Sequence, residues 1–432
     1  MKIQRRFPQW RAPHAVVVGI ALIATLPAAH AEPPAASIDT FETQRVMRDE
    51  FLAEAQIRRE AYEKFGIVPP VPASLSRNPQ DPDFRFAGYA REATDAEAEE
   101  ALIHGRGADS IEGEDFREDT DVGVFVNEAG EMWRWKPRNR RAVIEQAREK
   151  LGLDATAQAS EAWSGKGAPR HIEGDQENER AILGTDSRNI RSADAGHSMT
   201  SYPLRAIGAL APNGRDGNSP NARCTATKFG PRHLLTAAHC VHGGGSGGGW
   251  SYKDWWGGQD GMNFYANGGD PSPNGVRDIQ WYWVPSGWLD SGQNNRDYAV
   301  LILYDTPSTV GLGWLGTKVD YTLAGTSHWN FGFPIWGNTC ANSNWSGNSC
   351  RNSMWGMSRN IARTTLSFAY YSHDTQDGHS GSPIYQYNGG NRKIVAVHKG
   401  AFSGLENRGV KINRQVFDNI QAVKAAWPSA YD

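Results

Sequence analysis

Apolar residues recur in short runs separated by Gly, Pro and Asn clusters, and this pattern predicts a chain built mainly of β-strands. Beyond residue 199 the candidate strands are Tyr202–Ala211, Arg223–Phe229, His233–Ala238, Trp281–Pro285, Tyr298–Leu303, Lys318–Leu323, Thr326–Phe331, Thr365–Tyr371, Pro383–Tyr387 and Lys393–His398. Apolar residues spaced by four and three predict a closing helix over residues 414–427. We expect an all-β fold of two β-barrels, over about residues 199–300 and 301–413, followed by this helix.

Residues 32–180 have a different, mixed α/β pattern. An amphipathic helix is predicted over Asp39–Gly66, a hairpin with strands at residues 122–126 and 132–135, and a second helix over Arg141–Leu151. The polar, Gly-containing stretch before Arg180 is typical of an exposed linker. We interpret this part as a pro-region, removed by cleavage between Arg180 and Ala181. The alternatives are a substrate-binding module that stays attached and a linker that is never cut.

Residues 1–31 are typical of a secretory signal. A basic front precedes an apolar stretch from Ala15 to Ala29, and Ala29-His-Ala31 is a small-x-small cleavage site. The alternative is an uncleaved membrane anchor. Export permits disulfides, and all four cysteines follow residue 181. Of the three possible pairings we favour Cys224 with Cys240 and Cys340 with Cys350, because the first would join a predicted strand to the loop that follows His239.

Composition limits the function classes. The chain of 432 residues is longer than a single hydrophobic core usually supports, so more than one folding unit is expected. Residues 181–432 carry a net charge of +5 without a basic cluster, and residues 1–180 carry -8, so no nucleic-acid partner is predicted. No phosphate-binding glycine motif or calcium loop is found, so we expect no cofactor and no metal, and we expect a monomer that does not remain at the membrane after signal cleavage.

The chemistry is predicted by the segment Asp377-Gly-His-Ser-Gly-Ser-Pro383. Glycines on both sides of Ser380 present its hydroxyl on a tight turn, so Ser380 is the candidate nucleophile. The backbone N–H groups of Gly378 and Ser380 can converge on a developing oxyanion. A Gly-rich hairpin without chemistry is the alternative interpretation of this segment alone.

Two upstream segments complete the constellation. Thr236-Ala-Ala-His-Cys240 supplies His239 as the base, and Asp297 at the start of an apolar run supplies a carboxylate to orient it. The order His, Asp, Ser is the one found in chymotrypsin. The three segments together predict a serine peptidase, acting on peptide or protein substrates. The rival hypothesis is a non-catalytic peptide- or glycan-binding module on the same scaffold.

At this level of detail residues 181–432 resemble the secreted bacterial glutamyl endopeptidases of the chymotrypsin-like class. The segments that carry the resemblance are Leu183–Asp186, Tyr202–Ile207, Thr236–Cys240, Val284–Trp288, Asp297–Ala299, the serine segment, Ala396–His398 and Asn407–Ile412. The resemblance implies a double β-barrel, secretion as a zymogen, and cleavage after acidic residues. The pro-region shares no resemblance, and we expect it to act as an inhibitor or a folding aid of the peptidase.

The resemblance also implies that His398 and Thr375 bind the substrate side chain. An imidazole and a hydroxyl can donate to a Glu carboxylate without burying an unpaired permanent charge. The alternatives are a core role for His398 and a peptidase with another primary specificity, since Lys399 and Asp377 depart from the family pattern. Residues 181–432 contain one Glu but 15 Asp. An enzyme that cuts after Glu would digest itself if its surface displayed Glu, so this composition favours a preference for Glu over Asp.

Overall fold

The computed structural model describes residues 38–78, 80–104, 123–154, 156–163, 189–190, 202–212, 223–257, 276–334, 354–388, 391–403 and 406–431. Several predictions lie outside these residues and remain predictions. They are the signal segment ending at Ala31, the junction of Arg180 with Ala181, and the pairing of Cys340 with Cys350.

Six helices and eighteen strands are found in the described ranges. The helices are α1 (Ile38–Phe65), α2 (Asp95–His104), α3 (Arg140–Lys150), α4 (Ser286–Ser291), α5 (Pro307–Gly311) and α6 (Arg414–Ala426). The strands are β1 (Phe84–Tyr89), β2 (Gly123–Val126), β3 (Glu131–Trp135), β4 (Asn189–Ile190), β5 (Ile207–Pro212), β6 (Cys224–Lys228), β7 (His233–Thr236), β8 (Lys253–Gly257), β9 (Val276–Arg277), β10 (Ile279–Val284), β11 (Ala299–Leu303), β12 (Gly316–Thr317), β13 (Ser327–Gly332), β14 (Trp355–Thr364), β15 (Phe368–Tyr371), β16 (Pro383–Asn388), β17 (Asn391–Ser403) and β18 (Glu406–Lys411).

Two sheets divide the described strands. The first has the order β1-β3-β2-β10-β11-β7-β6-β5-β8-β9, and the second has the order β12-β17-β16-β13-β14-β15-β18, with β4 paired to β14. The all-β class with a closing helix is confirmed. Apart from β4, the described strands up to β11 belong to the first sheet and those from β12 onward belong to the second.

The N-terminal region (residues 38–163) extends the first sheet. Its strand β2 pairs antiparallel with β10, placing Phe125 opposite Trp283. Its side chains share one hydrophobic core with the strands of residues 207–303 and with α6, including Phe84, Trp133 and Trp135. The predicted helices and hairpin of this region are found within one or two residues of their expected ends. No described helix is both long and apolar enough to cross a membrane.

The prediction of a strand over Lys318–Leu323 is wrong. Strand pairing in this segment ends near Lys318, because the side chain of Asp320 forms a local turn. Asp320 Oδ1 accepts hydrogen bonds from the backbone N–H and the hydroxyl of Thr322 at 2.8 and 2.9 Å. Such a local side-chain turn competes with the hydrogen bonds of a sheet. The tryptophans Trp281, Trp283 and Trp288 are buried, as expected for packing residues.

Candidate active site

His239 lies in a 3₁₀ turn, Ala238–Cys240, that follows β7. Ala237 and Ala238 are fully buried, so their small side chains let this turn pack closely beneath the neighbouring backbone. A disulfide joins Cys240 to Cys224 at the start of β6. The turn that carries His239 is thus fixed covalently to the adjacent strand.

Asp297 orients His239 through both of its oxygens. Its Oδ1 accepts the backbone N–H of His239 at 2.9 Å, and its Oδ2 lies 2.8 Å from His239 Nδ1. An ionised carboxylate can only accept, so Nδ1 carries the proton and Nε2 of the neutral ring is left as a base. Asp297 is fully buried, at the end of a 3₁₀ turn that leads into β11.

A second cation contacts the same carboxylate. Lys399 Nζ lies 2.7 Å from Asp297 Oδ2, the oxygen that also faces His239 Nδ1. Burial on its own would raise the pKa of Asp297, but the charges and hydrogen bonds of His239 and Lys399 outweigh burial and lower this pKa below its ordinary value. Asp297 is therefore ionised at every pH at which the site would work.

The serine turn is held against β6 by Thr225. The Thr225 backbone N–H donates to Ser380 O, and its hydroxyl donates to Gly378 O, each at 2.8 Å. Gly381 has a φ of +84°, and a Cβ there would overlap Thr236 Oγ1 and Thr225 O. Only glycine fits this close approach between the serine turn and the two strands that lead to His239.

The Ser380 hydroxyl donates to the backbone carbonyl of Lys399 at 3.2 Å. His239 Nε2 is buried and has no hydrogen-bond partner among the described residues. Ser380, His239 and Asp297 are thus connected through neighbouring residues. Lys399 contacts both Asp297 and Ser380. Thr225 and Cys240, the residue after His239, both contact the backbone carbonyl of Ser380. The hydrogen bond from Ser380 to His239 is not formed in this arrangement.

The backbone N–H groups of Gly378 and Ser380 are available as donors. Within the described part of the chain neither of them donates a hydrogen bond. A hydrogen bond from His379 N to Gln376 O closes the turn between them, and Gly378 adopts a φ of +93° that favours glycine. This geometry can present two N–H groups to an anionic oxygen.

His398 lies on β17, next to Lys399, and is almost fully buried. Burial, with the nearby imidazoles of His239 and His373, lowers its pKa to about 3, so the ring is neutral at ordinary pH. Its Nδ1 lies 2.7 Å from the hydroxyl of Tyr371, whose pKa is raised by burial. When the Tyr371 hydroxyl donates to Nδ1, the other ring nitrogen, Nε2, carries a proton that can be donated.

Thr375 and Asp377 lie in the segment before Ser380. Thr375 is half-buried, and no hydrogen bond links it to His398 among the described contacts. Asp377 is exposed, so its carboxylate is not buried in the site.

The sequence pattern did not identify Thr225 or the ion pair of Lys399. Thr225 is an ordinary strand residue in the sequence, and only the folded structure shows that it fixes the serine turn. The sulfurs of Cys224 and Cys240 lie near His239, but their disulfide removes the thiolates that a metal would need.

α2 of the N-terminal region packs against the turn that carries His239. Two backbone hydrogen bonds join the segment before α2 to the loop that follows His239. Trp250 N donates to Arg91 O at 3.0 Å, and Ala93 N donates to Trp250 O at 2.7 Å. The N-terminal region therefore contacts the loop that follows His239 as well as the edge of the first sheet.

Comparisons with known proteins identify the family of the chain. The sequence model of a family described as trypsin matches residues 204–423. A glutamyl endopeptidase of Bacillus licheniformis is 29% identical over 249 residues, which cover 56% of this chain and 68% of that protein. An extracellular metalloprotease of Bacillus subtilis is 28% identical over 247 residues, 56% of this chain and 69% of that protein. A solved structure of a Glu endopeptidase in complex with MPD matches 57% of this chain and 100% of its own, with 26% identity and a TM-score of 0.45.

Proposed function

Because the chain belongs to the trypsin family of serine peptidases, we propose that it is a secreted endopeptidase, made as a zymogen, that cleaves peptide bonds preferentially after Glu. The observation that carries the proposal is the contact of Asp297 with both the Nδ1 and the backbone N–H of His239, on a turn packed beside Ser380. In this proposal Ser380 is the nucleophile, His239 the base and Asp297 the orienting carboxylate.

The reaction proceeds through an acyl-enzyme. The Ser380 hydroxyl leaves the Lys399 carbonyl and donates to His239 Nε2, as catalytic hydrogen bonds often form only with substrate bound. Oγ attacks the scissile carbonyl carbon while its proton passes to Nε2, and the N–H groups of Gly378 and Ser380 bind the oxyanion. The imidazolium then protonates the leaving amine. Water, deprotonated by the same nitrogen, hydrolyses the ester and restores Ser380.

The preference for Glu is supported by the state of His398. A neutral imidazole whose Nδ1 is occupied by Tyr371 can donate from Nε2 to a substrate carboxylate, with Thr375 as a second donor. The relative from Bacillus licheniformis is named for glutamyl specificity. Glu406 is the single Glu after residue 181, lies in β18 and is paired with Arg363, so it is not presented as a cleavable loop.

Secretion and activation are part of the same proposal. The signal sequence through Ala31 and the junction of Arg180 with Ala181 define a precursor, and one of the relatives is named as extracellular. The N-terminal region is proposed to act on folding and on access to the site, because α2 packs on the turn of His239.

A fluorophosphonate probe and a Ser380→Ala variant test the catalytic claim. We expect the probe to label the wild-type protein and not the variant, and we expect the variant to keep its thermal unfolding midpoint while losing peptide hydrolysis. A wild-type protein that is folded, unlabelled and inactive after cleavage of the linker would favour the peptide-binding alternative.

The Glu preference is tested by mapping every cut made in a denatured protein mixture by mass spectrometry. Cuts should follow Glu far more often than Asp or Gln, and His398→Asn should reduce kcat/KM for a Glu peptide more than for its Gln counterpart. Equal losses on both peptides, or cuts after other residues, would leave a trypsin-family peptidase with a different specificity.

A further inference from the structure

Lys399 is a buried cation beside the proposed triad. Its side chain is 1% exposed, and its Nζ lies 2.7 Å from Asp297 Oδ2. The same ammonium group lies 5.6 Å from the centre of the Trp288 ring, close enough for a cation–π interaction. A lysine so completely removed from water has to be compensated by a nearby charge, and Asp297 supplies it.

The position of Lys399 also links the two halves of the site. Its side chain contacts Asp297 in the first sheet, while its backbone carbonyl accepts the hydroxyl of Ser380 in the second. Lys399 therefore contacts two members of the proposed triad directly, the carboxylate through its side chain and the nucleophile through its backbone.

From this geometry, and resting on the proposed function, we propose that Lys399 is a positioning residue that sets the pH range over which His239 acts as a base. A cation and a ring N–H group share one carboxylate oxygen, because Lys399 Nζ and His239 Nδ1 both lie within 3 Å of Asp297 Oδ2. The ammonium group repels an imidazolium only a few ångströms away, so it disfavours the protonated, inactive form of His239.

Other titratable groups around the site do not duplicate this effect. His398 on β17 and His242 after the His239 turn are kept neutral by burial, with pKa values of about 3 and 4. On α2, Glu97 is ion-paired with Arg91, and Glu100 is a further carboxylate of that helix. Buried Arg296, adjacent to Asp297 in the chain, buried His379 and exposed Asp377 on the serine turn, and buried His373 near His398 are further titratable groups around the site.

The test is the pH dependence of kcat/KM on a Glu-containing peptide, measured for the processed wild-type enzyme and four variants. Lys399→Met removes the cation, and Lys399→Gln removes it but keeps a donor for Asp297. Lys399→Arg keeps the charge. Lys393→Met removes a lysine from the same strand, β17, where its partner is Glu161 rather than a residue of the site.

In Lys399→Met and Lys399→Gln we expect the acid limb of the kcat/KM profile to move to higher pH. The expected shift is about one pH unit, because loss of one nearby charge changes the charge interaction by a modest amount. The limb should return to the wild-type position in Lys399→Arg and stay there in Lys393→Met. The preference for Glu over Gln peptides should not change, because Lys399 Nζ is paired with Asp297 and the proposed contacts of the substrate side chain are His398 and Thr375.

Three outcomes would overturn the proposal. The acid limb could stay fixed in both uncharged variants while the wild type is active. The change could appear in Glu-over-Gln preference instead, which would make Lys399 a substrate ligand. Both uncharged variants could fail to fold while Lys399→Arg folds, which would give the cation a role in the fold alone. Failure of the proposed function itself is distinguished by a wild-type enzyme that neither hydrolyses peptides nor reacts with the fluorophosphonate probe.

Discussion

The ring centres of Phe125 and Trp427 lie 4.4 Å apart, although Phe125 is in the hairpin of the N-terminal region and Trp427 follows the closing helix α6. Phe84 and Trp135 also contact Trp427, and the indole N–H of Trp427 donates to Ser74 O at 2.7 Å. The start and the end of the described chain thus form one aromatic cluster, which we expect to be a main contributor to stability.

Replacing Trp427 by Ala should lower the free energy of unfolding by about 3 to 5 kcal/mol, the usual cost of removing a large buried aromatic side chain. Denaturant unfolding of the full chain measures this loss. Phe65→Ala is the matched control, since Phe65 is 74% exposed at the end of α1 and its removal should leave stability unchanged. Equal effects of the two substitutions would show that the cluster is not part of the cooperative core.

Arg48 on α1 forms buried ion pairs with two carboxylates. It lies 2.6 Å from Glu128 of the N-terminal region and 2.9 Å from Asp278, which precedes β10. Arg48→Ala should destabilise the protein by about 3 kcal/mol, because it leaves two carboxylates without their cation in a site of low exposure. Arg141→Ala, which breaks an exposed pair with Glu145, serves as control and should have no measurable effect in the same unfolding assay.

Gly381→Ala should inactivate the enzyme and destabilise it. The added methyl group would meet Thr236 Oγ1 and Thr225 O, so the serine turn would have to move away from the strands beside His239. Gly325→Ala is the matched control, since Gly325 has a similar φ of +80° but open space around it, and it should cost only the backbone strain of about 1 kcal/mol. An active Gly381→Ala enzyme would contradict the close packing of this turn.

Stability should fall steeply as the pH drops below about 6.5. Burial lowers the pKa of His242 and His373 to about 4 and that of His398 to about 3, whereas unfolded histidines bind protons near pH 6.5. The unfolded chain therefore binds more protons than the folded one at pH 5, so stability is complete above pH 6.5 and is lost on acidification.

Unfolding free energies measured between pH 7 and 4.5 should reveal the uptake of at least about three protons at pH 5, because burial also lowers the pKa values of His233 and His328, which add to these three groups. His242→Asn, which keeps an acceptor for the Gly244 N–H, should reduce this uptake by about one proton. A flat dependence on pH in this range would mean that these imidazoles are already charged in the folded protein.

The sequence predicted local structure well where periodicity was strong. The three long helices α1, α3 and α6, the hairpin of β2 with β3, and most strands near the triad were identified from spacing alone. β14 was missed because its middle, Ser358-Arg359-Asn360, is polar and is held in the sheet by pairing with β13. α2 was not predicted, since it has little apolar periodicity.

Long-range pairing was the part that the sequence could not supply. Nothing local indicates that β2 joins β10 across more than 150 residues, or that Lys399 meets an aspartate 102 positions away. Ser380 and His239 were identifiable because each lies in a short motif of small residues, and Asp297 was identifiable because it starts an apolar run. Their additional neighbours, Thr225 and Lys399, depend on the closed fold.

The pairing of β2 with β10 has a consequence for how the protein can be produced. If residues 181–432 were made alone, β10 would present a row of free backbone N–H and C=O groups beside an uncovered patch of indole rings. Bare sheet edges of this kind template the addition of strands from other molecules. A separately supplied hairpin of residues 123–135 should therefore bind the shortened chain by restoring the strand that covers β10 in the full protein.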